Sequence, residues 1–113
     1  YIPEETAEAV NRVLASDENT VTACGTTVVR ALESSLSADA TLKPDHSWTD
    51  LFVFPEYEFK IVDRMITNFH RPESMLMMMG AAFAGYDFLF EAYEEAFDDE
   101  YQLFAFGDAI FIK

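Results

Sequence analysis

The sequence predicts an α/β domain with a mixed β-sheet and helices packed against it. Three observations carry this. Apolar residues recur at helical spacing in several stretches, β-branched runs alternate with those stretches, and turn-forming residues separate the two kinds. The 113 residues, 50% hydrophobic and 15% aromatic, suffice for one compact domain with a real core. Residues 1–113 are therefore expected to form a single unit, without internal repeats or low-complexity tracts.

Pro3, Glu4 and Glu5 open the first helix, because proline suits the first turn and acidic groups favour the positive end of the helix dipole. Ala9, Val10, Val13 and Leu14 share its apolar face, and Asp17-Glu18-Asn19 ends it. Residues 20–24 make a short β-branched strand. Gly25-Thr26-Thr27 turns it into a second helix with Val28, Val29 and Leu32 inward and Arg30 and Glu33 on other faces. Residues 34–47 mix serine, aspartate, lysine and proline without periodicity, and are expected to be an exposed, flexible loop.

Residues 48–54 and 59–69 have strand composition and are joined by the tight segment Pro55-Glu56-Tyr57-Glu58. One long helix is expected over residues 72–98. Met75, Met79, Phe83, Tyr86, Phe90, Tyr93 and Phe97 fall at steps of four or three and make its core stripe. Gly80 and Gly85 each weaken an isolated helix by about 1 kcal/mol relative to alanine, so they mark close approach of another backbone or a ligand. Residues 101–106 form a last strand, and Gly107-Asp108 bends the chain before residues 109–112.

Charge and motif content exclude several function classes. Seven basic against twenty-one acidic residues give a formal charge of −14, which repels nucleic-acid phosphates unless local basic groups or a further segment intervene. The single cysteine, Cys24, rules out an internal disulfide, and with no secretory signal in view the expected compartment is the reducing cytoplasm. No apolar run approaches the ~18–20 residues of a membrane span, so no membrane partner is expected. There is no phosphate-binding loop, no GxGxxG and no cysteine–histidine cluster of zinc spacing. His46 and His70 are too few for a histidine metal site, and packing explains the methionines of residues 75–79 better than ligation. No metal is expected. The chain begins at Tyr1 without an initiator methionine and has the character of a piece of something longer.

The run Thr67-Asn68-Phe69-His70-Arg71-Pro72-Glu73-Ser74 joins a β-branched segment to an apolar helix. Such a junction is held by rigid elements on both sides while its polar groups stay free to meet a ligand. Asn68 offers a donor and an acceptor, and His70 titrates near neutral pH. Helix capping by Asn68 and Ser74, with His70 on top of the core, accounts for the same residues equally well.

Three further segments place polar residues where an apolar element begins or ends. Gly25, Thr26 and Thr27, with Arg30 one turn on, can present amides, hydroxyls and a cation to phosphate or carboxylate; a threonine N-cap with Arg30 paired to Glu33 is the plainer reading. Asp50, in Trp48-Thr49-Asp50-Leu51-Phe52, needs a partner or a task, either a proton or ribose hydroxyl, or the capping of a turn. Gly107 and Asp108 supply a bend and another carboxylate, with a hairpin-like turn as the plainer reading.

Taken together these segments resemble the C-terminal part of the S-adenosylmethionine:tRNA ribosyltransferase-isomerases of queuosine synthesis. The resemblance is carried by Pro3-Glu4-Glu5-Thr6-Ala7, by Gly25-Thr26-Thr27-Val28-Val29-Arg30-Ala31-Leu32-Glu33 and by Thr49-Asp50-Leu51-Phe52-Val53. It continues through Tyr57-Glu58-Phe59-Lys60, Thr67-Asn68-Phe69-His70, Pro72, Ser74, Ala82-Phe83-Ala84-Gly85 and Phe106-Gly107-Asp108-Ala109. It departs at Glu56, where a glycine is common, at Met75, where threonine is common, and at Ala81, where serine is common.

The resemblance implies an incomplete portion of a larger two-domain enzyme, whose remaining chain completes this fold and adds a β-barrel, so that the fragment alone is expected to be inactive. The implied enzyme is cytoplasmic and modifies tRNA. It transfers and isomerises the ribosyl part of S-adenosylmethionine onto 7-aminomethyl-7-deazaguanine to give epoxyqueuosine, with S-adenosylmethionine as co-substrate and no other cofactor. On this footing His70 and Asp50 are the expected catalytic residues. Gly25, Thr26, Thr27 and Arg30 would hold a carboxylate or tRNA phosphate, Asn68 would orient a substrate, Phe69 or Tyr57 would face the sulfonium, and Asp108 would complete the substrate-binding set. A non-catalytic module of the same fold, holding tRNA or a protein, is the alternative, and the −14 charge favours a protein in that case.

Overall fold

The computed structural model describes residues 1–113. Strand β1 (Thr22–Cys24) runs parallel to β2 (Arg64–Asn68), and β3 (Ala109–Ile112) pairs antiparallel on the other side of β2. The sheet is therefore mixed, as expected, in the order β1-β2-β3. Thr22 faces Arg64 and Cys24 faces Ile66 across the parallel pair, while Asn68 faces Ala109 across the antiparallel one. Parallel neighbours need a crossover, and helix α2 (Thr26–Ser34) with the following loop provides it. Met65, the second residue of β2, is wholly buried and packs within one core with Ala23, Val29, Leu32 and Ile112.

Helix α1 (Glu4–Leu14) starts at Pro3 with Glu4 and Glu5 in its first turn and Arg12 in its last. Its inward face is Ala7, Val10, Val13 and Leu14; Ala9, expected inward, is exposed. In α2 the phase is likewise turned from expectation. Val28 faces out, whereas Thr26, Val29, Leu32 and Glu33 are buried. Hydropathy placed Glu33 outside because nothing local announces the partners that make its burial tolerable.

The long helix is two. Helix α3 (Met75–Ala84) and helix α4 (Tyr86–Asp98) meet at an angle of 112°, broken by Gly85 at φ 86° and ψ 142°, far from helical geometry. Only glycine enters that region cheaply, so the helix-weakening residue became the corner. The bend lets α4 fold back on α3, where a Cβ at Gly80 would stand 3.1 Å from Leu89 Cδ2. It also breaks the expected stripe: Met77, Met79, Leu89 and Ala96 are buried, while Met75, Tyr86 and Phe97 are exposed. No single helix is long and apolar enough to cross a membrane.

The expected strands over residues 48–54 and 101–106 do not form and that over 59–69 is shortened, because side chains and turn contacts take backbone groups that a ladder would use. Of residues 59–69 only β2 pairs, because the amides of Lys60, Ile61 and Val62 donate to the Glu33 carboxylate. Residues 48–54 stay irregular, and the carbonyls of Thr49 and Leu51 accept from Arg30. Residues 101–106 close a turn in which the Gln102 amide donates to Asp108 and the Phe104 amide to the Phe69 carbonyl. Of the segment 34–47, Ser34 ends α2 and the rest has no helix or named strand, only the isolated bridges Leu36–Leu42 and Ile2–Asp45; Leu42 is buried, and Asn11 of α1 holds both its amide and its carbonyl.

Glu56 sits at φ 80°, the left-handed region that favours glycine. Glu56→Gly is accordingly expected to raise stability by roughly 0.5–1 kcal/mol, once glycine's larger unfolded-state entropy is set against the relieved strain. An unchanged or lowered denaturation midpoint would contradict this.

Candidate functional site at the carboxyl ends of the parallel strands

Parallel strands deliver their following loops to the same edge of a sheet, outside their carboxyl ends. Here that edge carries the Gly25-Thr26-Thr27 turn after β1 and the Asn68-Phe69-His70 corner after β2. The two are tied directly, since the Gly25 amide donates to the Ile66 carbonyl at 2.8 Å. Gly25 occupies φ 95° and ψ 140° and is itself the N-cap of α2, without a side-chain cap, so the threonine-cap reading does not apply. Thr26 is buried and Thr27 is exposed beside the helix N-terminus. The Asn68 amide nitrogen donates at 3.3 Å to the carbonyls of Gly107 and Asp108, which draws the start of β3 to the same rim.

His70 is held from two sides. Its ring Nε2 lies 2.8 Å from the Thr67 hydroxyl, and its backbone amide donates to the Tyr93 hydroxyl of α4 at 2.8 Å. With Phe90, Tyr93, Glu94, Asp98 and Phe104 it lines a cavity of about 440 Å³. Burial pushes the imidazole below its ordinary value of 6.5. Burial pushes the Tyr93 phenol up, against a smaller opposing effect of the hydrogen bond from the His70 amide.

Stability should follow from the lowered imidazole value. In the unfolded chain the ring protonates near 6.5, but in the folded protein only at lower pH, so on acidification the unfolded state takes up the proton first. The contribution of His70 is thus complete above 6.5 and lost as pH falls through the folded-state value. Melting temperatures between about pH 5 and pH 7.5 should fall less steeply in His70→Gln than in the unaltered protein. Parallel curves would remove His70 from the effect.

Arg30 and Asp50 meet at a second cavity of about 230 Å³, walled by Leu51, Phe52, Val53, Met75, Leu76 and Met79. Arg30 does not pair with Glu33. Its Nε donates to the Leu51 carbonyl at 2.9 Å and its Nη2 to that of Thr49 at 3.2 Å, which pins the Asp50 loop onto α2. Helix α3 divides the two cavities, with Met75 and Met79 on the Asp50 side and Met77 on the His70 side. Asp50 and His70 therefore do not share one pocket.

Other expected residues lie elsewhere. Phe69 is buried edge-on against Tyr93, with ring centroids 5.0 Å apart, and belongs to the core. Tyr57 stands by Glu33 near the amino end of β2, its hydroxyl donating to that carboxylate at 3.3 Å. Burial, and then the adjacent carboxylate, push its phenol up. The Asp108 carboxylate accepts the Gln102 amide at 2.8 Å and so closes a turn. Thr67 and Tyr93, which hold His70, are given no site role by the sequence, although Thr67 opens the polar run and Tyr93 lies in the aromatic stripe. The spacing of Thr67 three residues before the histidine was the only available signal for the first, and the second was hidden in an aromatic stripe. No three His, Cys, Asp or Glu side chains lie close enough together to hold a metal ion.

The chain is an α/β domain with polar side chains at the carboxyl ends of its parallel strands, the edge at which α/β proteins in general bind ligands. Within that class the family is shown directly: the family model described as "Queuosine biosynthesis protein" matches residues 1–112, and the chain belongs to that family. It is 50% identical over 112 residues to the S-adenosylmethionine:tRNA ribosyltransferase-isomerase of Natranaerobius thermophilus, covering 99% of this chain and 32% of that protein. The protein of the same name from Cytophaga hutchinsonii is 48% identical, with 98% of this chain and 32% of the relative covered. A crystal structure of S-adenosylmethionine tRNA ribosyltransferase from Thermotoga maritima superposes with a TM-score of 0.89 at 44% identity, over 99% of this chain and 39% of that one. The chain thus spans about a third of the length of the curated relatives it matches.

Proposed function

We propose that the protein, at the length of its relatives, transfers and isomerises the ribosyl moiety of S-adenosylmethionine onto 7-aminomethyl-7-deazaguanine in tRNA, giving epoxyqueuosine. The observation that carries this reading is the adjacency of the Gly25 turn and the His70 corner at one strand edge, joined through Gly25 and Ile66. S-adenosylmethionine is a co-substrate in this scheme, tRNA the second substrate, and the cytoplasm the compartment. No further cofactor takes part.

The reaction needs a carbon acid beside the sulfonium to lose a proton, adenine to depart, and a neutral amine to attack. His70, unprotonated at neutral pH because of its burial, accepts the proton. Asp50 accepts a ribose hydroxyl across the smaller cavity, with the remaining Arg30 donors beside it. The Gly25-Thr26-Thr27 turn at the start of α2 receives a carboxylate or phosphate, as helix N-termini do. Asn68 spends its amide hydrogens on two carbonyls and keeps its oxygen to orient substrate. Phe69 and Asp108 support the rim by packing and turn closure, while Tyr57 holds Glu33 at the opposite end of β2. The test is to incubate the full-length protein with S-adenosylmethionine and precursor-bearing tRNA and measure free adenine. Adenine release that depends on both substrates supports the reading, and release no faster than without protein overturns it.

A further inference from the structure

We propose that Thr67 is a positioning residue for His70: its buried hydroxyl engages Nε2, so that Nδ1 is the nitrogen presented to the substrate proton. This deepens the reading just given and rests on it for the identity of the substrate. Thr67 is 8% exposed and lies on the same face of β2 as the wholly buried Met65. A hydroxyl on such a face is costly without a partner, and the His70 ring supplies one at 2.8 Å. The Tyr93 hydroxyl, accepting the His70 amide at 2.8 Å, fixes the backbone from the opposite side. Ring and backbone are therefore clamped between sheet and α4, with one ring nitrogen consumed by the clamp.

The chemistry follows from which nitrogen is consumed. The 2.8 Å contact fits a donor at either atom; in the proposed arrangement Nε2–H donates to Thr67 Oγ1, which leaves the lone pair of the neutral ring on Nδ1. Nδ1 takes the proton, the C–H electron pair stays on the carbon next to the sulfonium, and the imidazolium keeps its Nε2–H bond to Thr67. A neutral hydroxyl orients the ring without raising its basicity as a carboxylate would, which suits a base that must be unprotonated at neutral pH. The titratable groups that line the same cavity as the ring are Tyr93, Glu94 and Asp98 from α4, and the guanidinium of the neighbouring Arg71 lies over the Phe104 ring.

The experiment compares Thr67→Val and Thr67→Ser in the full-length protein, with ¹⁵N-histidine NMR for the ring tautomer and adenine release for turnover. Valine should lower kcat by about 10- to 100-fold with KM for S-adenosylmethionine within about threefold, and serine should restore kcat to within about threefold. The Nε2–H tautomer should dominate in the unaltered protein and the serine variant, and be lost with valine. Valine with unchanged kcat and tautomer, serine as defective as valine, or an Nδ1–H tautomer in the unaltered protein would each overturn the proposal. Should valine prevent folding, the tautomer in the unaltered and serine proteins decides alone. Absence of adenine from the unaltered protein would sink the activity assignment, and the tautomer measurement would still judge Thr67.

Discussion

His70→Ala in the full-length protein is expected to lower turnover by about 10²- to 10⁴-fold while S-adenosylmethionine still binds, the range by which a positioned general base accelerates a proton transfer. The imidazole is partly buried, its protonation is disfavoured by that burial, and His70 is fixed by one hydrogen bond at the ring and one at the backbone amide, each 2.8 Å. Alanine leaves Thr67 without its ring partner as well, so a modest stability loss of roughly 1–2 kcal/mol accompanies the loss of turnover. His70→Gln, which can keep a hydrogen bond to Thr67 but cannot take the proton, separates the two effects: stability returns and turnover does not. Turnover within a few-fold of the unaltered protein, with folding intact, would dismiss His70 as the base.

The largest effect on stability is expected at Glu33. Its carboxylate is 7% exposed and is met almost entirely by backbone. Oε1 accepts the amides of Ile61 and Val62 at 2.9 Å each, and Oε2 accepts that of Lys60 at 3.0 Å and the Tyr57 hydroxyl at 3.3 Å. Truncation to alanine strands the buried amides of Ile61 and Val62 away from water, and each stranded group costs about 1–3 kcal/mol. Glu33→Ala should therefore lose about 3–5 kcal/mol, a large share of the ~5–15 kcal/mol by which domains are stable. Glu33→Gln keeps one acceptor oxygen and should lose about half as much, and Tyr57→Phe only about 0.5–1.5 kcal/mol. Denaturant midpoints at unchanged m-value measure this ladder. An alanine variant within about 1 kcal/mol of the unaltered protein would show that those amides find other partners.

Glu33 also explains where the sequence was and was not legible. Helix α1, helix α2, the short β1 and the start of α3 follow from local signals: Pro3 with Glu4 and Glu5, the Gly25 turn, and Ser74, whose hydroxyl accepts the Met77 amide. The junction residues were legible for the same reason, since capping groups and a histidine in a short polar run stand out against apolar neighbours. Composition alone overextended the strands at residues 48–54, 59–63 and 101–106, because it cannot say that Arg30, Glu33 and Asp108 will take those backbone groups. The single long helix failed at Gly85, where a residue known only to weaken helices became a 112° corner.

What the chain determined by itself was its class and kinship: alternating helix and strand signals, and motifs in an order specific enough to identify the family. Those depend on residues close in sequence, where propensity and periodicity operate. What only tertiary structure decided was the company each polar group keeps. Thr67 met His70 through the local corner, but Tyr93 reached it only because the chain bends back at Gly85, and Asp50 came beside Arg30 while remaining across α3 from His70. Such pairings are set by how apolar faces pack, and a face packs as a whole, so no local pattern of polar residues encodes them.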